Sequence, residues 1–311
     1  MAVPQQNEIS PPKFQLLDLP GELRNHIFKL ALTNDDPLMC TATTENGKFK
    51  PLIYTQEQYE TIHASITHEK SAGILNLQHM TFNQLKFVNR QLYNETNGLE
   101  LQINTIRFSG LKDDGLHAAD DLFLFRAAMA PNRVSWLKRV TVKANCKFFH
   151  GDGTCDVGEL MPLLTFCNDN PYVEFRYAVR CCLHTERCDD NLTDFFTFGA
   201  LLWIGLRDDT NIEGELIPAP SSLEDDEVAL ARTWRTYPGM EQLLQSVRNF
   251  AAVPNCARVN EKSFHSCYYG LDPRKKVRSY PQKQQAAWLK FAKLWYEEGI
   301  RPGLYGNLHS C

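Results

Sequence analysis

Cysteine and histidine side chains crowd the middle of the chain, where they could bind a metal ion. Thiolate and imidazole are the ligands that zinc prefers, and a structural site needs four of them around one ion. The spacing argues against such a site, because no Cys-x-x-Cys pair presets two ligands in one turn. A metal-stabilised or small-ligand-binding protein is accordingly an alternative and not the leading interpretation. The residues concerned are Cys146, His150, Cys155, Cys167, Cys181, Cys182, His184 and Cys188.

Two further segments imitate binding loops without completing them. Residues 209–216 resemble the first half of a calcium-binding EF-hand loop, with Gly214 at its sixth position. The twelfth position requires a glutamate and is Pro220. The segment His150-Gly-Asp-Gly-Thr-Cys155 matches neither a Walker loop nor a dinucleotide fingerprint. We therefore expect a surface turn at residues 209–216 and no nucleotide cofactor.

Motifs typical of enzymes are missing from the sequence. Gly-x-Ser-x-Gly and His-Glu-x-x-His do not occur. Ten cysteines and nine histidines allow so many pairs of nucleophile and base that no single pair is informative. The sequence thus indicates a protein that is not an enzyme. An enzyme of unknown class is kept as a further alternative.

Composition excludes several other classes of protein. The chain has 311 residues, of which 43% are hydrophobic and 23% charged, as is usual for a globular domain. The net charge of −4 argues against nucleic-acid binding, which usually requires a basic excess. The most apolar segment, residues 195–206, is too short to cross a membrane and predicts a buried helix.

The N-terminal residues predict the compartment. They have neither the basic start nor the apolar run of a signal peptide, so we expect a protein of the cytoplasm or nucleus. In that reducing environment the cysteines should be free thiols and not disulfides.

The periodicity of apolar residues predicts the first elements. Residues 1–13 predict a flexible lead-in, and residues 14–311 a single α+β domain. A helix should end at Leu32, with Pro20 in its first turn and one apolar stripe made by Leu23, Ile27, Leu30 and Ala31. Residues 37–80 predict mostly loop with one short helix near 55–66.

Helices and strands should then alternate along the rest of the chain. Three strands separated by helices favour partly parallel pairing through right-handed crossovers, which predicts a small sheet followed by C-terminal helices. In the last helix, Trp288, Phe291, Ala292 and Trp295 share one face, and Gly299 should cap its end. Strands are predicted at 104–108, 136–143 and 172–179, and helices at 82–101, 120–129, 158–166, 193–206, 221–233, 238–250 and 282–298.

Two segments of the sequence resemble an F-box, in the form found in F-box-like proteins of filamentous ascomycete fungi. The first is Leu17-Asp-Leu-Pro-Gly-Glu-Leu-Arg-Asn-His-Ile27. The second is Leu85-Lys-Phe-Val-Asn-Arg-Gln-Leu-Tyr-Asn-Glu-Thr96, followed by the strand Asn104-Thr-Ile-Arg-Phe108. The resemblance covers residues 14–32 and 82–110. In the family the second segment follows the first closely, whereas residues 33–81 intervene here.

The resemblance implies a role in ubiquitin ligation. An F-box is a three-helix unit that docks on the linker subunit of a cullin–RING ubiquitin ligase while the rest of the chain captures a substrate. Docking would use Leu19, Pro20, Leu23 and Ile27 in a helix-in-groove contact. The alternative is that the same apolar stripe packs inside the protein's own domain. The leading hypothesis is therefore a non-enzymatic protein-interaction module whose partner is a protein.

Overall fold

A six-stranded mixed sheet forms the centre of the fold. The computed structural model describes residues 16–45, 48–61, 82–110, 118–144, 157–179, 191–207, 232–255 and 282–302. The strands are β1 (Leu38–Glu45), β2 (Lys48–Tyr54), β3 (Thr105–Phe108), β4 (Arg139–Lys143), β5 (Glu174–Val179) and β6 (Phe250–Pro254), in the spatial order β2-β1-β3-β4-β5-β6. β2 pairs with β1 in antiparallel fashion, and all other neighbours are parallel. The predicted mixture of helices and strands, with partly parallel pairing, is confirmed.

Helices precede, connect and follow the strands. They are α1 (Gly21–Leu32), α2 (Arg90–Thr96), α3 (Leu99–Ile103), α4 (Ala118–Ala128), α5 (Pro131–Val134), α6 (Val157–Asp169), α7 (Asn191–Arg207), α8 (Met240–Ser246) and α9 (Gln282–Glu297). Short 3-10 helices cover Leu16–Asp18 and Leu85–Phe87, and residues 56–61 and 232–236 are also helical. Each parallel strand lies beside the one before it, so right-handed crossovers bring the connecting helices to the same face of the sheet.

That helix-covered face contains the main hydrophobic core. Alternate residues of neighbouring strands occupy it in register, such as Phe108, Val142 and Tyr177, and all three are fully buried. Leu122 and Phe125 of α4 and the predicted pair Phe291 and Trp295 of α9 belong to the same core. Trp295 also donates its indole N–H to the carbonyl oxygen of Ala252 at 3.1 Å. The side chain of Trp288 lies outside the described ones.

Three strands, β1, β2 and β6, were not predicted. β1 and β2 form a hairpin where we expected a loop, whereas the helical residues 56–61 match the short helix expected near 55–66. Residues 62–80 lie outside the described part of the chain. Proline is tolerated at Pro51 because β2 is an edge strand. The helix predicted over 238–250 stops at Ser246, and β6 begins at Phe250, the last residue of that prediction.

The helix predicted over residues 82–101 is broken into three pieces. Asn89 caps α2, since its side-chain oxygen accepts a hydrogen bond from the Leu92 N–H at 2.9 Å. Gly98 separates α2 from α3 with a φ of 84°, and a Cβ at this position would lie 2.2 Å from the Trp136 ring. Only glycine combines this backbone conformation with so close an approach.

No helix among the described residues is both long enough and apolar enough to cross a membrane. Several expectations fall outside the described residues. They concern the lead-in (1–13), the calcium-like loop (209–216), the start of the helix predicted at 221–233, and the metal candidates other than Cys167.

Replacing Gly98 with alanine should destabilise the protein by roughly 2–4 kcal/mol, because the left-handed backbone is strained and the Trp136 ring must move. Urea unfolding measures the change in the free energy of unfolding. Gly21→Ala is the matched control, since a Cβ there meets nothing closer than 3.8 Å. Equal stability of the two variants would contradict the explanation that Gly98 is required where α2 and α3 separate.

Candidate functional site

The predicted docking residues lie on the surface of α1 and the turn before it. Leu23 is 52% exposed and Ile27 is 37% exposed, Pro20 is exposed, and Leu19 is half-buried. Leu30, one turn further on, is 67% exposed. Leu23, Ile27 and Leu30 therefore form an exposed stripe, called here the apolar ridge.

Two other side chains hold α1 against the protein. Phe28 is fully buried and Leu32 is nearly so, and α1 packs against α3. The predicted stripe is thus not the face that packs inward, which corrects the alternative interpretation of the ridge as core. The spacing was ambiguous because Phe28 and Leu32 give a second set of apolar positions four residues apart.

A bidentate ion pair joins the two segments that carry the F-box resemblance. Arg24 donates from Nε to Glu95 Oε2 at 3.0 Å and from Nη2 to Glu95 Oε1 at 2.9 Å. Its Nη1 also donates to the backbone carbonyl oxygens of Leu17 and Leu19. One guanidinium therefore fixes the turn before α1 and binds α1 to α2. Both residues lie in the motifs that carry the resemblance, but nothing in the sequence pairs them.

The ion pair is partly buried, and its hydrogen bonds favour the charged form of Glu95. The Arg24 and Glu95 side chains are only 16% and 23% exposed. The hydrogen bond from Arg24 holds the pKa of the Glu95 carboxyl below its usual value, and the Gln91 amide adds a second donor in the same direction. Glu95 is thus charged at neutral pH, and the ionised pair contributes to the stability of the folded protein.

The second segment also exposes apolar side chains. Phe87 is 61%, Val88 65% and Tyr93 42% exposed. With the apolar ridge, these make six of the eight large apolar side chains that are exposed in the described part of the chain. The other two are Tyr172 and Tyr237, so exposure of this kind is concentrated where the resemblance lies.

A buried polar network ties α1 and α3 to the start of β3. Asn104, 2% exposed, donates from Nδ2 to the carbonyl oxygens of Leu32 at 2.7 Å and Glu100 at 3.1 Å. Its Oδ1 accepts from the backbone N–H of Asn34 at 2.7 Å. Asn83 similarly donates to Glu100 Oε2 and to the Thr96 carbonyl oxygen. Asn104, which directly precedes β3, thereby sets the orientation of α1.

Among the described residues, no group of three or more His, Cys, Asp and Glu side chains is placed to hold a metal ion. Cys167, the one metal candidate within them, is fully buried in the main core, and burial raises the pKa of its thiol. The remaining zinc candidates lie outside the described residues, so the metal alternative stays a prediction.

A shallow pocket of about 480 Å³ lies between α4 and α6. Phe123, Met161, Phe166 and Tyr237 make its lining mainly apolar, and Arg126 stands 5.8 Å from the centre of the Phe166 ring. The Thr165 hydroxyl in the lining donates to the Met161 carbonyl oxygen. This lining offers apolar contact but no acid–base pair.

In comparisons with known proteins, no family model, no curated protein and no solved structure matched this chain.

Glu95→Gln should lower the free energy of unfolding at pH 7 by about 1 kcal/mol. Because the folded-state pKa of Glu95 is lowered, its contribution is present above the ordinary value of 4.5 and lost as the pH falls through the lowered pKa. The difference from the parent protein should therefore disappear under acid. Urea titrations at several pH values measure it, with exposed Glu297→Gln as the control; a difference that persists in acid would exclude the ion pair as its cause.

Asn104→Ala should lower the free energy of unfolding by roughly 2–4 kcal/mol, since it leaves the buried Leu32 carbonyl and the half-buried Asn34 N–H without their partner. Thermal and urea unfolding report the loss. Asn94→Ala, an exposed asparagine of α2, serves as the control. If both alanine variants unfold alike, the network does not orient α1.

Proposed function

We propose that this protein is a non-enzymatic protein-interaction module that docks on a partner protein through the apolar ridge of α1. The observation that carries the proposal is the concentration of exposed apolar side chains on the two segments joined by Arg24 and Glu95. Exposed apolar surface of this kind is costly in water and is typical of binding surfaces.

The spacing of the ridge suits a helix-in-groove contact. Leu23, Ile27 and Leu30 stand at positions i, i+4 and i+7, which place three side chains along one side of a helix. Their own helix is held from the opposite side by Phe28 and Leu32, so the ridge can enter a groove without unfolding α1. Leu19 and Pro20 extend the surface at the start of the helix.

The resemblance to an F-box suggests which partner to test. On this proposal the partner is the linker subunit of a cullin–RING ubiquitin ligase, and the protein acts as a substrate receptor in the cytoplasm or nucleus. The Arg24–Glu95 pair supports the idea, because it unites the two segments although residues 33–81 separate them in sequence.

The decisive variant is Leu23→Asp combined with Ile27→Asp. We expect it to abolish co-purification and direct binding of the purified linker subunit, because each carboxylate would be desolvated in an apolar groove. Both side chains are exposed, so the variant should fold; circular dichroism and unfolding curves verify this.

The matched control is Tyr172→Asp combined with Tyr237→Asp, which changes two exposed apolar side chains elsewhere. It should bind the linker subunit like the parent protein. Failure of the unmodified protein to bind the linker subunit would end the ubiquitin-ligase proposal. Equal binding by a folded ridge variant would show that the ridge is not the docking surface.

A further inference from the structure

The second face of the sheet, opposite the connecting helices, carries basic residues in its centre. Arg107, Arg139, Lys143 and Arg176 alternate along β3, β4 and β5 with the buried residues of the helix-covered face. Glu174 is the acidic residue that these three strands contribute to the same face. These three strands therefore contribute four basic residues and one acidic residue to this face, in a chain whose net charge is −4.

Three of the polar residues on this face stand side by side. Arg107 pairs in register with Thr141, and Thr141 with Arg176, so a hydroxyl lies between two arginines on adjacent parallel strands. Neighbouring strands are about 4.8 Å apart, which puts the two arginine Cα atoms at about 10 Å. At this spacing both guanidinium groups can reach a ligand above Thr141.

The row formed by Arg107, Thr141 and Arg176 is bounded by apolar residues on both sides. Met39 is in register next to Arg107, and Ala251 next to Arg176. Met39 belongs to a small buried cluster with Leu52 and Tyr54, and Ala251 to another with Ala178 and Val253. The buried cluster beside Arg107 lowers the local dielectric there, which strengthens the attraction of this guanidinium for an anion.

The hydrogen bonds of the two guanidinium groups leave N–H donors for a ligand. Arg107 donates from Nη2 to the side-chain oxygen of Asn255, a neutral acceptor. Its Nε is buried and finds no hydrogen-bond partner among the residues that the structure describes. Arg176 binds the exposed Glu174 carboxylate at 3.0 Å, a contact that solvent weakens. A buried guanidinium donor that lacks an acceptor is costly, and an anionic ligand would remove that cost.

We propose that the row of Arg107, Thr141 and Arg176 binds a phosphoryl group. Two guanidinium groups supply planar pairs of donors and two positive charges, which match a dianion with three terminal oxygens better than a single carboxylate. The Thr141 hydroxyl between them can donate to one of those oxygens. The group can belong to a small phosphorylated molecule or to a phosphorylated side chain of a protein.

Calorimetric titration of the full chain with inorganic phosphate, at constant ionic strength and neutral pH, tests the proposal. We expect saturable binding with one site per chain. Arg107→Gln and Arg176→Gln should each weaken it by at least about tenfold, and Thr141→Val by a smaller factor. Arg126→Gln, which removes the same charge from α4 on the other side of the sheet, should change it by less than about twofold.

A phosphoserine peptide and its unphosphorylated parent identify the source of the group. Tighter binding of the phosphopeptide than of free phosphate assigns a phosphorylated protein as the ligand, and weaker binding assigns a small molecule. Absence of saturable phosphate binding, or an equal loss with Arg126→Gln, overturns the proposal. If Arg107→Gln does not fold, the exposed Arg176→Gln decides the outcome alone.

This site is independent of the apolar ridge. The variant with Leu23→Asp and Ile27→Asp should bind phosphate like the parent protein, so either proposal can fail without the other.

Discussion

The Asn104 side chain is the contact on which the arrangement of the N-terminal half depends. It precedes β3 directly and satisfies the last carbonyl of α1, a carbonyl of α3 and the N–H of Asn34 beyond α1. Backbone groups at helix ends must find partners when they are buried, and here one amide supplies three. The axis of α1 is thereby fixed relative to the sheet, and the positions of Arg24 and the apolar ridge follow from it.

The order of the strands explains why the two candidate surfaces are separate. Because each parallel strand is added beside the previous one, the connecting helices accumulate on one face and bury Phe108, Val142 and Tyr177. The residues between these core positions must then point to the other face, where Arg107, Thr141 and Arg176 come into line. The alternation that builds the core therefore also builds the basic row.

The sequence was sufficient for elements with a strong period and insufficient where backbone conformation or pairing decided the outcome. α1, α4, α6, α7, α9 and strands β3, β4 and β5 lie where apolar spacing predicts them. The hairpin of β1 and β2 was missed because its threonines and lysines hide the alternation, although Asn46-Gly47 is a hairpin signal. β6 was missed because Phe-Ala-Ala-Val-Pro has no period of its own, and burial in the sheet overrides the helix preference of alanine.

The candidate sites were less predictable than the fold, because each depends on residues far apart in the chain. The motif comparison singled out Leu23 and Ile27 but could not tell an exposed stripe from a buried one. Phe28 and Leu32 offer an equally good inward face, and only tertiary packing chooses between them. Likewise Arg24 and Glu95 are 71 residues apart, and Arg107 and Arg176 meet only through the register of β4.

The apolar ridge stands on a helix that other parts of the protein hold in place. A partner that binds a mobile helix must bear the entropy of ordering it, whereas a preformed surface avoids that loss. α1 is short, and its own hydrogen bonds would not keep it folded in water. Phe28 and Leu32 hold it from below, Asn104 holds its end, and Arg24 holds its beginning to Glu95. The apolar ridge is therefore presented by a helix that is held at both ends, which would favour the proposed docking.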